Sequence, residues 1–183
     1  RRVLFRSAPV SNTSFLVGLR EDTGEPLYLN LATEFEGQCE HNPHTLIAGM
    51  TGGGKGVLVQ NMLLDICATN APSAARIWII DPKQGLDYTW IQGMPHLASE
   101  MATTKEAAAS ALTALIEEMN RRFALFAKTQ GGHQKIDEYN ALMPEGHRIP
   151  RIYVFHDEFA FWGQDKEYRQ LAEQQINGLG QMA

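Results

Sequence analysis

Two groups of residues in this chain have the types and spacing to do chemistry. The first is Gly49-Met50-Thr51-Gly52-Gly53-Gly54-Lys55, followed by Gly56 and Val57. Closely spaced glycines let the backbone curl so that successive N–H groups point inward at an anion. A helix start adds further N–H groups and the positive end of its dipole. In that setting a lysine reaches the outer phosphates of a nucleoside triphosphate, ATP being the expected one. The second group is Asp157-Glu158, at the end of the apolar run Ile152-Tyr153-Val154-Phe155. An aspartate at a strand tip can hold Mg²⁺, and the adjacent glutamate can polarise an attacking water. An acidic pair after a strand means little alone, but downstream of a phosphate loop it reads as the Walker B partner of a Walker A loop. His156 beside it reads as a packed or solvent-facing residue rather than a ligand.

The phosphate loop departs from the usual pattern at one position. Its lysine is ordinarily followed by Ser or Thr, whose hydroxyl ligates Mg²⁺; here that position is Gly56. Either a water takes the place of the hydroxyl, or the site binds nucleotide and hydrolyses it weakly. Asp81 and Lys83 form a smaller third group after the run Ile77-Trp78-Ile79-Ile80. In a parallel sheet the strand C-termini gather along the ligand edge, so this pair could face the nucleotide or a neighbouring subunit. The alternative is a plain strand-ending turn set by Pro82.

These groups need elements to hold them. Ser14–Leu19 and Pro26–Leu31 read as a hairpin joined by Glu21-Asp22-Thr23-Gly24. Thr45–Ala48 is expected as a short strand leading into the glycine loop, and Val57–Ala68 as the helix leaving it. Ile77–Ile80 reads as a strand buried on both faces. From Lys105 to about Lys128, Ala108, Leu112, Leu115, Ile116, Met119, Phe123 and Phe126 recur at helical spacing, with Thr103 and Glu106 expected as a capping box. A short helix is expected near Ile136–Leu142, then the Ile152–Phe155 strand and a last helix from Glu167. Strands alternating with helices predict an α/β fold with a mostly parallel sheet flanked by helices.

The bulk numbers set limits. The chain has 183 residues, 44% hydrophobic and 20% charged, with a formal net charge of −5. That is not the profile of a protein that coats nucleic acid generally, so any such contact must be local. Arg121, Arg122 and Lys128 form a small basic cluster, which reads as a solvated face or as salt-bridge partners of Glu117 and Glu118 ahead of a DNA contact. No apolar run is long enough to span a membrane. Cys39 and Cys67 lack metal-type spacing and read as free thiols of a reducing compartment. Residues 1–7, Arg-Arg-Val-Leu-Phe-Arg-Ser, can be encoded by the end of a common sequencing adapter and read as non-native, leaving residues 8–183 as the true chain, a domain cut at both ends.

At this point the motifs resemble those of the FtsK/SpoIIIE-type DNA translocases. The resemblance is carried by His44–Lys55, Ile80-Asp81-Pro82-Lys83, Gly93-Met94-Pro95-His96-Leu97, Glu118-Met119-Asn120-Arg121-Arg122-Phe123 and Asp157-Glu158-Phe159-Ala160. It implies a RecA-like P-loop motor domain that forms a hexameric ring and uses ATP and Mg²⁺ to move double-stranded DNA. By the same resemblance Lys55 binds phosphate, Asp157 holds Mg²⁺ and Glu158 activates water. The motor would lie in the cytoplasm, with any membrane anchor outside this stretch. The arginine finger, the sensor residue and the strand between the two motif strands are expected beyond residue 183, so the isolated stretch is expected not to turn over ATP. Two other readings stand beside this one: a type VII-like protein-secretion ATPase, and a nucleotide-binding assembly module with weak hydrolysis.

Overall fold

The computed structural model describes residues 12–31, 44–50, 52–129 and 135–182, with the side chains of 181 and 182 left out. Residues 1–7, Cys39 and Thr51 fall outside that set. The chain divides into two compact units, Arg1–Ala75 and Arg76–Ala183.

In the first unit, β1 (Ser14–Leu19) and β2 (Pro26–Asn30) pair antiparallel. The register slips between Leu16 and Gly18, so Val17 is the extra residue of a bulge, which bends and twists the strand locally. The turn is closed by Gly24 N–H to Arg20 O and Arg20 N–H to Glu25 O, both 2.8 Å. Gly24 has φ +69°, the left-handed backbone that glycine adopts without strain.

The hairpin is fastened to α1 (Lys55–Thr69). Leu16 N–H donates to Asp65 Oδ2 at 3.1 Å, and Asn12 reaches Asn70 Oδ1 and Thr69 Oγ1 at 2.7 and 3.0 Å. Phe15, Leu63 and Ile66 are fully buried. The helix stops where Asn70 turns extended and returns its N–H to Ile66 O at 3.1 Å. Pro72 two residues later disfavours helix at Ala71.

The expected strand Thr45–Ala48 is not formed: residues 44–50 are irregular, and Leu46 and Met50 are 91% and 86% exposed. Extended backbone becomes a strand only when its N–H and C=O groups join a ladder. Among the described residues, no β-pairing involves this segment.

The second unit is built around β3 (Ala75–Ile80), with parallel β4 (Arg151–His156) beside it. Backbone polarity along β3 alternates as pleating requires. Ile80 O accepts the Asp157 N–H at 2.9 Å on the β4 side. The odd-numbered residues face the other way. Ile77 N–H goes to His96 O at 2.8 Å, Ala98 and Ala102 N–H go to Ile77 and Ile79 O at 2.9 Å, and Asp81 N–H goes to Ala102 O at 2.9 Å. The Met94-Pro95-His96-Leu97 motif therefore supplies the segment that covers the second edge of β3. With both edges paired, Ile77, Ile79 and Ile80 are at most 2% exposed.

The long helix α2 (Lys105–Ala127) starts one residue later than the capping-box reading requires. Thr104, not Thr103, is the N-cap; its Oγ1 accepts the Ala107 N–H at 3.1 Å. The residue three positions on is then Ala107, so the reciprocal half of a capping box is lost and Glu106 is an acidic residue of the first turn. Ala108, Leu112, Leu115, Met119 and Phe126 are buried as their spacing predicts.

Ile80, Ala102, Ala108 and Leu112 form one core with Trp162, Tyr168 and Ala172. The last three lie on α4 (Phe159–Trp162) and α5 (Lys166–Met182). The approach of α5 to α2 is close: a Cβ on Gly178 would lie 3.3 Å from Ile116 Cδ1. The short helix α3 (Ile136–Leu142) sits where expected. Its Asn140 clamps the chain entering β4, exchanging bonds of 2.9 Å with the N–H and C=O of Ile149.

Candidate functional site: a glycine loop and an acidic strand tip

The glycine loop belongs to the first unit. Gly52 and Gly54 have φ of +80° and +83°, where an L residue would be strained. Gly53 is tight for another reason: a Cβ there would lie 3.0 Å from Met50 O, the acceptor of its own N–H at 3.0 Å. Gly54 is the N-cap of α1, and Leu58 N–H closes onto its carbonyl at 2.9 Å. No acidic residue occupies the first turn of the helix and no side chain caps it, so nothing on the helix competes with an incoming anion for its N–H groups.

Lys55 folds over this loop, its Nζ donating to Gly49 O at 2.6 Å and Met50 O at 3.0 Å. The cation stands at the loop mouth on backbone carbonyls rather than on a carboxylate, partners that an anion can displace cheaply. Gly56 has open space around its missing Cβ, and Val57 is exposed.

The second unit gathers Asp81, Lys83, Asp157 and Glu158, all four expected from sequence. Asp157 and Glu158 follow β4 directly. Glu158 is the N-cap of α4 with φ +43° and ψ +41°, a left-handed conformation costing on the order of 1 kcal/mol for a non-glycine residue. Its N–H donates to Asp157 Oδ1 at 2.8 Å. Asp157 Oδ2 accepts the Tyr88 hydroxyl at 2.6 Å. Burial, then this bond to a carboxylate, push the Tyr88 hydroxyl far above its ordinary range, so it remains a donor. Glu158 Oε1 accepts Lys83 Nζ at 2.5 Å. That hydrogen bond is the largest cause raising the Lys83 ammonium above its usual pKa. Both side chains are about half exposed, at 51% and 39%, so the pair contributes little to stability; its weight lies in geometry.

Asp81 is fully buried. Its Oδ1 accepts the Lys83 N–H and its Oδ2 the Gly85 N–H, both at 2.9 Å. Between and beside them, Gln84 and Gly85 take left-handed φ of +64° and +69°. The turn reading of this segment is met: Asp81 ties the turn, and the turn carries Lys83 to the acidic pair. Tyr88 was not legible as a site residue. It lies in a 3₁₀ turn, Leu86–Ile91, that no periodicity announces, and its only signal was a phenol that needs a partner when buried.

His156 faces away from this chemistry. Its ring packs against Phe159, Trp162 and Tyr168 at centroid distances of 5.0, 6.4 and 6.1 Å. Nδ1 meets the Asp157 carbonyl at 3.1 Å, so it must donate; Nε2 then accepts the Tyr168 hydroxyl at 2.6 Å. Both contacts suit a neutral ring, and burial lowers its pKa. Of the basic cluster, the two arginines on α2 are engaged by Glu118, which accepts Arg121 Nε at 2.6 Å and Arg122 Nε at 2.7 Å. Those bonds, Arg121's first, hold the Glu118 carboxyl down at about 2. Cys67 is a free thiol whose pKa burial raises. Among the described residues no cluster of three or more His, Cys, Asp or Glu could hold a metal on its own, and no helix is long and apolar enough to cross a membrane.

An α/β architecture with a parallel sheet, an antiparallel N-terminal hairpin and a glycine loop opening a helix defines a P-loop ATPase domain. Solved structures of that class superpose on it. The cytoplasmic domain of the Thermomonospora curvata type VII secretion ATPase EccC matches with a TM-score of 0.74 and 26% identity, over 94% of this chain and 20% of that one. The pCW3 conjugation coupling protein TcpA matches in fold, with a TM-score of 0.67 over 91% of this chain and 43% of that one. The FtsK/SpoIIIE family profile matches residues 4–172, and the chain belongs to that family. Relatives include the DNA translocase FtsK of Campylobacter jejuni, 39% identical over 120 residues, which are 64% of this chain and 12% of that protein. The DNA translocase FtsK of Sporosarcina ureae is 36% identical over 152 residues, 79% of this chain and 18% of that protein. The chain thus spans less than a fifth of the length of these relatives.

Proposed function

We propose that the intact protein is an ATP-driven motor that translocates double-stranded DNA. The observation that carries this reading is the acidic pair at the tip of β4. Asp157 and Glu158 are each held by a donor from the turn after β3, in a family whose relatives are named DNA translocases.

In this reading the N–H groups of Gly49–Val57 and the start of α1 cradle the phosphates, and Lys55 exchanges its carbonyl partners for the outer phosphate oxygens. Mg²⁺ takes hard oxygen ligands, and is commonly bound through one or two carboxylates together with waters and substrate phosphates. Asp157 fits that role, since among the described residues Oδ2 accepts the Tyr88 hydroxyl and Oδ1 the Glu158 N–H, which leaves each oxygen a lone pair. Gly56 brings no hydroxyl to the set. Bound there, the ion would neutralise charge developing between the β- and γ-phosphates. Glu158 Oε2 is the oxygen left to accept a hydrogen bond from water, Oε1 being held by Lys83. The motor works as a hexameric ring in the cytoplasm, and any membrane anchor lies outside this chain.

A second reading, a protein-secretion ATPase, is favoured by the superposition on the type VII secretion ATPase. A third, a nucleotide-binding module with weak hydrolysis, draws on Gly56. ATP turnover by the intact protein, measured with and without duplex DNA, separates the three. Strong stimulation by DNA is expected, with Glu158→Gln lowering turnover about 100-fold or more while ATP still binds. Turnover indifferent to DNA would remove the translocase reading, and a Glu158→Gln variant as active as its parent would remove Glu158 as the base.

A further inference from the structure

The turn after β3 does more than end a strand. One buried carboxylate, Asp81, ties the N–H groups of Lys83 and Gly85 at 2.9 Å each, in a backbone that passes through two consecutive left-handed residues, Gln84 and Gly85. A turn tied in this way has few alternative conformations, so the side chains it projects start from fixed points. It projects two donors onto two neighbouring acids. Lys83 Nζ meets Glu158 Oε1 at 2.5 Å, and Tyr88 Oη meets Asp157 Oδ2 at 2.6 Å. The receiving backbone is itself unusual: Glu158 is a non-glycine residue in the left-handed region at the head of a four-residue helix. Its side chain is 39% exposed.

The geometry points to Lys83 as the positioning residue of the Glu158 carboxylate, with Asp81 setting the position of Lys83. This inference rests on the reading of Glu158 as the residue that orients the attacking water. An exposed glutamate samples several rotamers, and only some aim an oxygen at water beside the terminal phosphate. The ammonium selects among them by taking Oε1 and leaving Oε2 to the water. Lys83 touches neither nucleotide nor water in this account; it acts through Glu158. Because the pair is solvent-exposed, its loss should alter the rate of the chemical step far more than the stability of the fold.

The test uses the intact protein with saturating duplex DNA. Lys83→Met removes the ammonium and keeps the stem, Lys83→Arg restores a cation, and each is also combined with Glu158→Gln. Steady-state kcat and KM, equilibrium binding of a fluorescent ATP analogue and the thermal midpoint are measured for all. Lys83→Met is expected to lower kcat about 10- to 100-fold, the cost of a misplaced catalytic group, with analogue affinity within about twofold of the parent. Lys83→Arg should recover much of the loss. In the Glu158→Gln background Lys83→Met should change kcat by less than about twofold, because the group it positions is already disabled. Unchanged turnover in Lys83→Met would overturn the inference. So would full-sized losses that multiply with Glu158→Gln, or a loss that appears in analogue affinity and thermal midpoint instead of kcat. If Glu158→Gln alone is fully active, the reading of Glu158 as the base has failed instead, and the inference falls with it.

Discussion

Replacing Gly56 with serine returns to the glycine loop the hydroxyl that would ligate Mg²⁺ in the usual pattern. Gly56 is the second residue of α1. A Cβ built there meets nothing within 4 Å, and its φ is not positive, so the substitution is free of steric cost. Glycine is about 1 kcal/mol worse than alanine inside a helix, with serine between them, so serine should gain up to about 0.5 kcal/mol. For a domain of this size that is a rise of about 1–2 °C in Tm. The chemical effect should be larger. One added oxygen ligand, at about 1 kcal/mol, lowers the Mg²⁺ concentration for half-maximal turnover roughly fivefold. The assay is ATP turnover by the intact protein across a magnesium titration, at fixed ATP and DNA. Gly56→Ala is the control: it takes the full propensity gain, so its Tm should rise as much or more, but it carries no hydroxyl and should leave the magnesium curve in place. If alanine and serine shift that curve equally, the effect is one of helix stability and the lost-ligand reasoning fails. If serine abolishes turnover, Gly56 is required as glycine and the reasoning fails from the other side.

The neutral His156 ring links stability to pH. Its pKa is lowered on folding, so the unfolded chain takes up the proton first. The stability it contributes is complete above pH 6.5 and is lost as pH falls through the lower, folded value. Thermal midpoints measured between about pH 7.5 and about pH 5.5 should drop more steeply for the parent than for His156→Phe, which keeps an aromatic ring in the cluster and cannot titrate; parallel slopes would refute this. Leu112 is 1% exposed at the centre of the second unit's core. Leu112→Ala should cost about 3 kcal/mol, roughly 6–12 °C in Tm, and a loss below about 1 kcal/mol would mean the core is not packed around it.

Much of this fold was legible because its elements are specified locally. The hairpin, α1, the continuous apolar run of β3 and the periodic face of α2 each depend on neighbours a few residues away, and their boundaries came within a residue or two. The Thr103 capping box failed by one position because two adjacent threonines offer the same oxygen, and only helix geometry chooses Thr104. The Thr45–Ala48 strand failed for a deeper reason. Apolar, extended sequence is a necessary condition for a strand, but the ladder that completes it belongs to another part of a sheet.

The same division runs through the site. Residue type and order alone singled out the glycine loop, its lysine, the absent hydroxyl at Gly56 and the acidic pair, because the phosphate binding and carboxylate chemistry proposed for them call for those types in that order. Tertiary structure decided what those groups touch. It joined Lys83 to Glu158 across 75 positions and Tyr88 to Asp157 across 69, and it buried Asp81 as the tie of one turn. Such pairings arise from β3 and β4 lying side by side and in parallel, which brings their C-terminal ends together. No spacing along the chain encodes that meeting; it follows from two strands sharing one ladder.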